Sequence, residues 1–320
     1  MKRFKNILVF IDNDDEENIT NNYMLKKAKI IARLNNAKIT VFGAIKEGNR
    51  SIDLNLEKKL KMNIRDVLLD QKKKFLDGLV RSFLKKEDVN IETKVLVGVA
   101  FIALIRHVLK EDQPLLMIGG SRVQSLKDRI FGTTSLHLLR KCPCPVWVFK
   151  PSKRSKFNRI LVSVDTGSEF ESEQELNIKL MEFGTSLSEL ENAKLYVLHA
   201  WVLFGESLLR GHFAGLTNEE VDNYIIDAET TANQNFNNFL TPFRNSINDK
   251  NRHCINGDPT VLVPHFIKEN KIDLIIMGTV GRTGLQGFFI GNTAERILES
   301  VNCSVLAVKP DGFKTPVTLE

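Results

Sequence analysis

The strongest constraint on the fold is that this 320-residue chain contains one sequence unit written twice. Residues 98–151 align without a gap onto residues 257–310, and the unit starts at 4–12 and 157–165 also correspond. The identical pairs include Gly98/Gly257, Leu115/Leu274, Gly119/Gly278, Leu126/Leu285, Gly132/Gly291, Thr134/Thr293, Cys144/Cys303 and Lys150-Pro151/Lys309-Pro310. A unit of about 150 residues is a whole domain. We therefore predict two tandem domains, 1–150 and 157–311, joined by a polar linker at 151–156.

Within each unit, short apolar runs alternate with longer stretches of helical periodicity. The strands of the first unit are predicted at about 7–11, 39–44, 90–95, 115–118 and 146–149, and its helices at about 18–34, 54–84, 100–109 and 134–140. The strands of the second unit are predicted at about 160–164, 194–200, 251–255, 274–277 and 305–308. Strands separated by helices need crossover connections, which give a parallel sheet with helices on both faces. The predicted fold class is α/β.

Composition places the chain among globular proteins rather than membrane or disulfide-rich ones. Hydrophobic residues make up 42% and charged residues 26% of the sequence, and no apolar run approaches the roughly 20 residues of a membrane helix. The first apolar run breaks at Asp12, too early for the core of a signal peptide, so we expect a cytoplasmic protein that does not contact a membrane. Cys142 and Cys144 form a Cys-x-Cys without a second cluster, which favours packed, reduced thiols over a metal site.

The basic and acidic residues are distributed unevenly between the two units. Residues 1–155 contain 31 Lys and Arg against 17 Asp and Glu, whereas the remainder contains 14 against 22. The basic excess lies largely on the periodic stretch 58–86, where charges normally form a solvated helix face. We therefore do not expect a nucleic-acid partner, and the opposite charges of the two halves would equally favour their packing together.

A glycine-rich loop follows the fourth strand of the second unit. Gly278, Gly281 and Gly291 lie between an apolar run at 273–277 and a helix that we expect Asn292 or Thr293 to cap. Glycines let backbone approach an anion, and the helix start offers unpaired N–H groups and a positive dipole end. The spacing Gly-x2-Gly-x9-Gly-Asn fits neither the Walker nor the dinucleotide pattern. It predicts an anion site of another kind.

These motifs together resemble the universal stress protein family. The matching features are Ile-Leu-Val-x-x-Asp in the first strand of each unit, Leu198-His199-Ala200, Gly257-Asp-Pro259, the glycine loop, and Cys-Pro-Val or Cys-Ser-Val at the last strand. The resemblance covers almost the whole chain. It implies two tandem Rossmann-like domains, each a five-stranded parallel sheet in the order 3-2-1-4-5. It also implies pairing of domains, which this chain would supply covalently, while a homodimer remains open.

One branch of that family binds adenine nucleotides, and the resemblance places such a site in the second unit. Its predicted residues are Val164, Asp165, Ala200, Met277, Gly278, Gly281, Gly291, Asn292 and Thr293. The residues at the strand ends, Gly278 among them, would meet the base and ribose. The phosphates would be held by Gly281, Gly291, Asn292 and Thr293. This agrees with the general position of ligands, beyond the carboxyl ends of strands where the strand order reverses. The expected ligand is ATP or AMP, with or without Mg²⁺; an acid that only shapes a turn is the alternative for Asp165.

The first unit departs further from the family pattern. Its corresponding positions are Asp12, Gly119, Arg122, Gly132 and Thr133, with Arg122 in the place of Gly281. Arginine adds a bulky side chain and penalises positive φ. We predict that this degenerate copy binds nucleotide weakly or not at all. The opposite outcome is that the guanidinium itself binds a phosphate.

The predicted function is a stress-response regulator that binds ATP or AMP and acts through an unidentified protein partner. No catalytic or metal-binding residue is predicted, since the loop brings neither a Walker lysine nor an evident base; slow ATP hydrolysis is the upper limit. A ligand-free interaction scaffold is one alternative. Another is a carrier of an apolar small molecule, based on the segment Val202–Leu216, which has no counterpart of like composition in the first unit. That segment would form a lid, line an apolar pocket or pack between the domains.

Overall fold

The computed structural model describes residues 3–12, 19–46, 63–83, 89–120, 131–150, 156–203, 205–210, 215–280 and 291–319. These residues form two compact units. Described residues 3–150 and 302–319 belong to the first unit, and residues 156–280 and 291–301 belong to the second. The last strand of the second sequence repeat therefore lies in the first unit.

The sheet of the first unit begins with five parallel strands. They are β1 (Asn6–Ile11), β2 (Lys38–Ile45), β3 (Ile91–Val97), β4 (Pro114–Gly119) and β5 (Val146–Phe149), arranged in the order β3-β2-β1-β4-β5. The helices are α1 (Ile19–Asn35), α2 (Ile64–Phe83), α3 (Ala100–Val108) and α4 (Thr133–Lys141). Ile7, Leu8 and Val9 of β1 are fully buried, because the central strand of a parallel sheet is covered on both faces.

The second unit repeats this arrangement. Its strands are β6 (Arg159–Val164), β7 (Lys194–Trp201), β8 (Arg252–Asn256) and β9 (Leu274–Gly278), all parallel, in the order β8-β7-β6-β9. Its helices are α5 (Glu171–Glu191), α6 (Glu206–Leu209), α7 (Asn218–Leu240), α8 (Pro259–Glu269) and α9 (Asn292–Ser300), with 3-10 turns at Thr241–Ser246 and Asp249–Asn251. The predicted α/β class is confirmed, and the strand order agrees with the prediction for the five parallel strands of the first unit and for the four of the second.

The last strand, β10 (Ser304–Val308), pairs with β5 in the antiparallel direction. The pairing places Leu306 opposite Trp147, which is fully buried. Beyond the strand ends, Lys150 Nζ donates a hydrogen bond to the carbonyl oxygen of Asn302 at 2.8 Å, and Lys309 Nζ donates one to the carbonyl oxygen of Leu139 at 2.6 Å. Strands from both sequence repeats thus pair within the first unit.

The cysteines are free thiols, and Cys142, Cys144 and Cys303 are buried. The Sγ atoms of Cys142 and Cys144 are 3.4 Å apart. Burial raises the pKa of the Cys144 thiol well above its usual value, so it remains protonated near neutral pH. Among the described residues, no cluster of three or more His, Cys, Asp or Glu could hold a metal ion. The described helices include none that is long and apolar enough to cross a membrane.

Candidate functional site

The carboxyl ends of β6 and β9 lie side by side and bring four of the predicted site residues together. Parallel pairing matches Ser163 with Met277. Val164 then ends β6, while Gly278 ends β9. Asp165 follows directly after β6 at this edge. These residues are about 110 positions apart in sequence, and the order reversal of a doubly wound sheet makes them neighbours.

The backbone of Asp165 is fixed by the side chain of Asn177 on α5. The N–H of Asp165 donates to Asn177 Oδ1 at 3.1 Å, and Asn177 Nδ2 donates to the carbonyl oxygen of Asp165 at 2.8 Å. The Asp165 carboxylate also accepts a hydrogen bond from the Gly167 N–H at 3.3 Å. Asp165 therefore shapes its own turn, which is the structural role considered from the sequence. Its contact with a ligand remains a prediction.

Strand β7 contacts Val164 through His199 and carries Ala200. His199 Nδ1 lies 3.2 Å from the carbonyl oxygen of Val164. The His199 ring is buried and stacks on Phe236 of α7, with 6.2 Å between the ring centroids. His199 is therefore a packed histidine rather than an exposed acid or base. Because Val164 pairs with His199, Ala200 lies one step further along, at the level of Asp165.

The far end of the glycine loop is tied to the end of β9. The N–H of Gly291 donates to the carbonyl oxygen of Thr279 at 3.0 Å. Gly291 is the N-cap of α9, with extended backbone (φ −62°, ψ 140°) and no side-chain cap bond. The expected cap at Asn292 or Thr293 is therefore wrong, because both residues already have helical positions. Their backbone N–H groups belong to the first turn, which has no intrahelical acceptors. Gly281 lies outside the described residues.

Gly278 is closely packed against a side chain of α5. A Cβ at this position would lie 2.8 Å from Leu176 Cδ2, so Leu176 would have to move. At the matching Gly119, a Cβ would meet Thr20 and Asn21 only at ordinary contact distances of 3.5 Å and 3.8 Å. The close contact is thus particular to the second unit, where the larger Leu176 stands in the place of Thr20.

The first unit keeps the framework of the degenerate site. Asp12 follows β1, and Gly119 ends β4. Gly132 is the N-cap of α4, which begins at Thr133. Arg122 lies outside the described residues. Asn21 is 4% exposed and lies against Gly119, which makes it the counterpart of Asn177, whose neighbour Leu176 lies against Gly278.

The two units differ in the side chain that fills the buried volume beside their second strand. Where the second unit has His199 stacked on Phe236, the first unit has Gly43. A Cβ on Gly43 would lie 2.3 Å from Lys72 Cε. Lys72 is 7% exposed, so its aliphatic stem occupies the volume that a larger residue at Gly43 would need.

Sequence reasoning missed two residues next to Asp165. Asn177 falls at a buried position of α5 beside Leu176, Leu180 and Met181, and a polar residue inside such an apolar stripe was the signal that could have found it. Thr166 follows Asp165, and its hydroxyl oxygen is buried and without a hydrogen-bond partner in the described part of the chain. Such atoms usually bind a water or a ligand.

The described parts of the segment Val202–Leu216 include a short helix, α6 (Glu206–Leu209), and Arg210 after it contacts α7. Arg210 contacts Glu206 at 3.1 Å and Asp222 at 2.8 Å. Leu208 is 64% exposed, so this apolar side chain remains largely uncovered. The roles of lid, pocket lining or packing segment stay predictions.

Comparison with known proteins assigns the family. The profile described as "Universal stress protein family" matches residues 3–150 and again 156–309. The chain belongs to the universal stress protein family. It is a tandem member, because two matches together span nearly all of it.

Relatives of full length support the same assignment. Universal stress protein E of Escherichia coli strain K12 is 27% identical over 325 residues, covering 100% of this chain and 98% of the relative. The protein of the same name from Photorhabdus laumondii is 26% identical and covers 99% and 98%. A putative universal stress protein from Pseudomonas aeruginosa has a similar structure, with a TM-score of 0.69 and 23% identity over 97% of this chain and 95% of that one. At this identity the structural likeness shows the fold alone.

Proposed function

We propose that this tandem universal stress protein binds an adenine nucleotide, ATP or AMP, in its second sequence repeat and acts as a nucleotide-dependent regulator of a stress response. The first repeat then serves as a partner that binds nucleotide weakly or not at all. The regulatory target is a protein, and a homodimer of the chain is compatible with this function.

The observation that carries the proposal is the convergence at the carboxyl ends of β6 and β9. The hydrogen bond from Gly291 to Thr279 holds the start of α9 beside the end of β9, and Asp165 directly follows the neighbouring strand, β6. Backbone N–H groups at a helix start favour phosphate, and a carboxylate accepts hydrogen bonds from sugar hydroxyls. The buried hydroxyl oxygen of Thr166 adds a polar group that a ligand would satisfy.

The chemistry of the site favours binding over catalysis. Phosphoryl transfer needs a held metal ion and a positioned base or water. His199, the histidine at the end of β7, is buried in stacking with Phe236. We therefore assign no catalytic residue, and Mg²⁺ would enter only with the nucleotide.

Calorimetric titration of ATP and AMP, each with Mg²⁺, tests the proposal in the intact chain. We expect one nucleotide per chain, and loss of binding in Gly281→Arg, which copies the residue at position 122. Arg122→Gly in the first repeat is the matched control and should leave the second-repeat site unchanged. Two equal sites per chain would contradict the asymmetry. No heat and no thermal shift with either nucleotide would leave the ligand-free scaffold as the function.

A further inference from the structure

Asn177 makes a contact that ordinary helix packing does not require. β6 ends at Val164, so at Asp165 the chain leaves the regular strand ladder. Asn177 supplies both an acceptor for the Asp165 N–H and a donor for the Asp165 carbonyl oxygen, at 3.1 Å and 2.8 Å. A carboxamide offers the same donor and acceptor as a peptide group, so the side chain takes the place of a neighbouring strand.

Few other side chains could make this contact. Asn177 is 5% exposed, so water cannot readily replace either hydrogen bond, and a buried peptide group left without a partner is costly. Aspartate would keep the acceptor and lose the donor. Leucine, of similar size, would lose both. The counterpart Asn21 in the first unit is 4% exposed, so both repeats place a buried asparagine at this point.

The contact fixes the backbone from which the Asp165 carboxylate projects. With the backbone held from both sides, the remaining freedom lies in the side chain, and the Gly167 N–H bonds to Oδ1 at 3.3 Å. A carboxylate with a set orientation at the edge between β6 and β9 recognises donors, and the sugar of a nucleotide carries two hydroxyl donors. Pre-organised polar groups bind more tightly because less ordering is needed on binding.

We propose that Asn177 is a positioning residue that holds Asp165 so that its carboxylate accepts hydrogen bonds from the ribose hydroxyls of the bound nucleotide. This inference rests on the proposed function. It makes the clamp formed by Asn177 and Asp165 responsible for sugar selectivity, while the start of α9 is responsible for phosphate affinity.

The test compares ATP with 2′,3′-dideoxy-ATP, which lacks both hydroxyls, by calorimetry on the full chain. The parent should bind ATP about tenfold more tightly than the dideoxy analogue. In Asn177→Leu, ATP affinity should fall to that of the analogue, and affinity for the analogue should stay constant. Asp165→Ala should show the same pattern, and combining the two changes should add nothing. Asn21→Leu in the first unit is the matched control and should preserve the selectivity.

The outcomes separate the inference from the proposed function. If the parent binds neither nucleotide, the proposed function fails and the inference falls with it. If the parent binds both equally, or if Asn177→Leu weakens both to the same extent, the inference alone is overturned, since a purely structural asparagine would act on both. Should Asn177→Leu fail to fold, Asn177→Asp keeps the size and the acceptor; it should reduce the selectivity, and unchanged selectivity would overturn the inference.

Discussion

Lys309 Nζ donates a hydrogen bond to the carbonyl oxygen of Leu139 at 2.6 Å, although the two residues come from different sequence repeats. Leu139 lies in the last turn of α4, where carbonyl groups lack intrahelical partners. Lys309 is 4% exposed, and its nitrogen lies 5.1 Å from the centroid of the Phe313 ring. Lys309, which follows the last strand of the second repeat, therefore donates a hydrogen bond to a carbonyl group at the end of a helix of the first repeat.

This buried amine predicts a pH-dependent stability. Burial lowers the pKa of Lys309 to about 7, and the nearby Cys142 opposes the shift. Above pH 7 the folded state has released a proton that the unfolded state keeps up to its normal pKa of about 10.4. The free energy of unfolding should therefore rise as the pH increases from 7 to 8.5, by at most about 1.4 kcal/mol per pH unit from this group.

Lys309→Met tests this expectation because it keeps an unbranched apolar stem and removes the titrating group. Urea unfolding at several pH values between 6 and 8.5 should show that the free energy of unfolding rises less steeply with pH in the variant than in the parent. Fluorescence of Trp147 on β5 reports the region when Trp201 is replaced by Phe, since the chain has 2 tryptophans. Lys150→Met, at the matching position, should keep the slope of the parent. Equal slopes in the parent and Lys309→Met would contradict the assignment.

Replacing Gly184 on α5 by alanine should destabilise the protein, although alanine has the higher helix propensity. Alanine is favoured over glycine inside a helix by about 1 kcal/mol. However, a Cβ on Gly184 would lie 2.3 Å from Val162 Cγ2 and 3.3 Å from Leu195 Cδ1. Because Val162 is fully buried, the clash should prevail. Gly184→Ala should lower the free energy of unfolding by about 1–3 kcal/mol.

The matched comparison for Gly184→Ala is Gly119→Ala. Its Cβ would meet its nearest side chain at 3.5 Å, an ordinary contact. The free energy of unfolding should then change by no more than about 0.5 kcal/mol. Urea unfolding of both variants beside the parent provides the measurement. A stabilised Gly184→Ala protein would mean that α5 can move away from β6 without cost.

The apolar runs of each repeat predicted the number and positions of the strands, whereas the strand order came from the resemblance to the family. The sequence did not predict that β10 pairs with β5. Both strands are short apolar runs, and such runs carry no information about the direction or identity of a neighbour. The residues that follow them, Lys150 and Lys309, were seen as a repeated pair. Their hydrogen bonds to Asn302 and Leu139 depend on contacts more than 150 positions apart.

The candidate site was predictable to a similar degree. The turn after β6 and the glycine that ends β9 came from motif and strand position, and the structure makes them neighbours. Asn177 and Lys72 were missed because each is a polar residue in a buried helical position, a choice that only tertiary contacts explain. Gly43 occupies the position that His199 has in the second unit, and the structure gives a cause, since the stem of Lys72 fills the volume that a larger residue would need.

The matching helices α3 and α8 differ at their N-caps, which predicts a reciprocal exchange. Asp258 Oδ1 accepts a hydrogen bond from the Thr260 N–H at 2.8 Å, whereas the matching Val99 is 55% exposed and makes no side-chain cap bond. Asp258→Val should lower the free energy of unfolding by about 1 kcal/mol, and Val99→Asp should raise it by up to that amount. Unfolding reported by Trp201 for the first change and by Trp147 for the second checks both signs at pH 7.

The pH dependence of the free energy of unfolding shows whether Asp258 stabilises α8 through hydrogen bonds to its carboxylate or only through helix propensity. Hydrogen bonds from Thr260 lower the pKa of Asp258, so the stabilisation is complete above the unfolded pKa of about 3.9 and is lost as the pH falls through the lower folded value. The difference between the parent and Asp258→Val should therefore shrink below about pH 4. Asp258→Ser, which caps without a carboxylate, should keep its advantage over Asp258→Val at the same pH. If the serine and aspartate proteins lose stability in parallel with acid, the ionised carboxylate of Asp258 is not what stabilises α8.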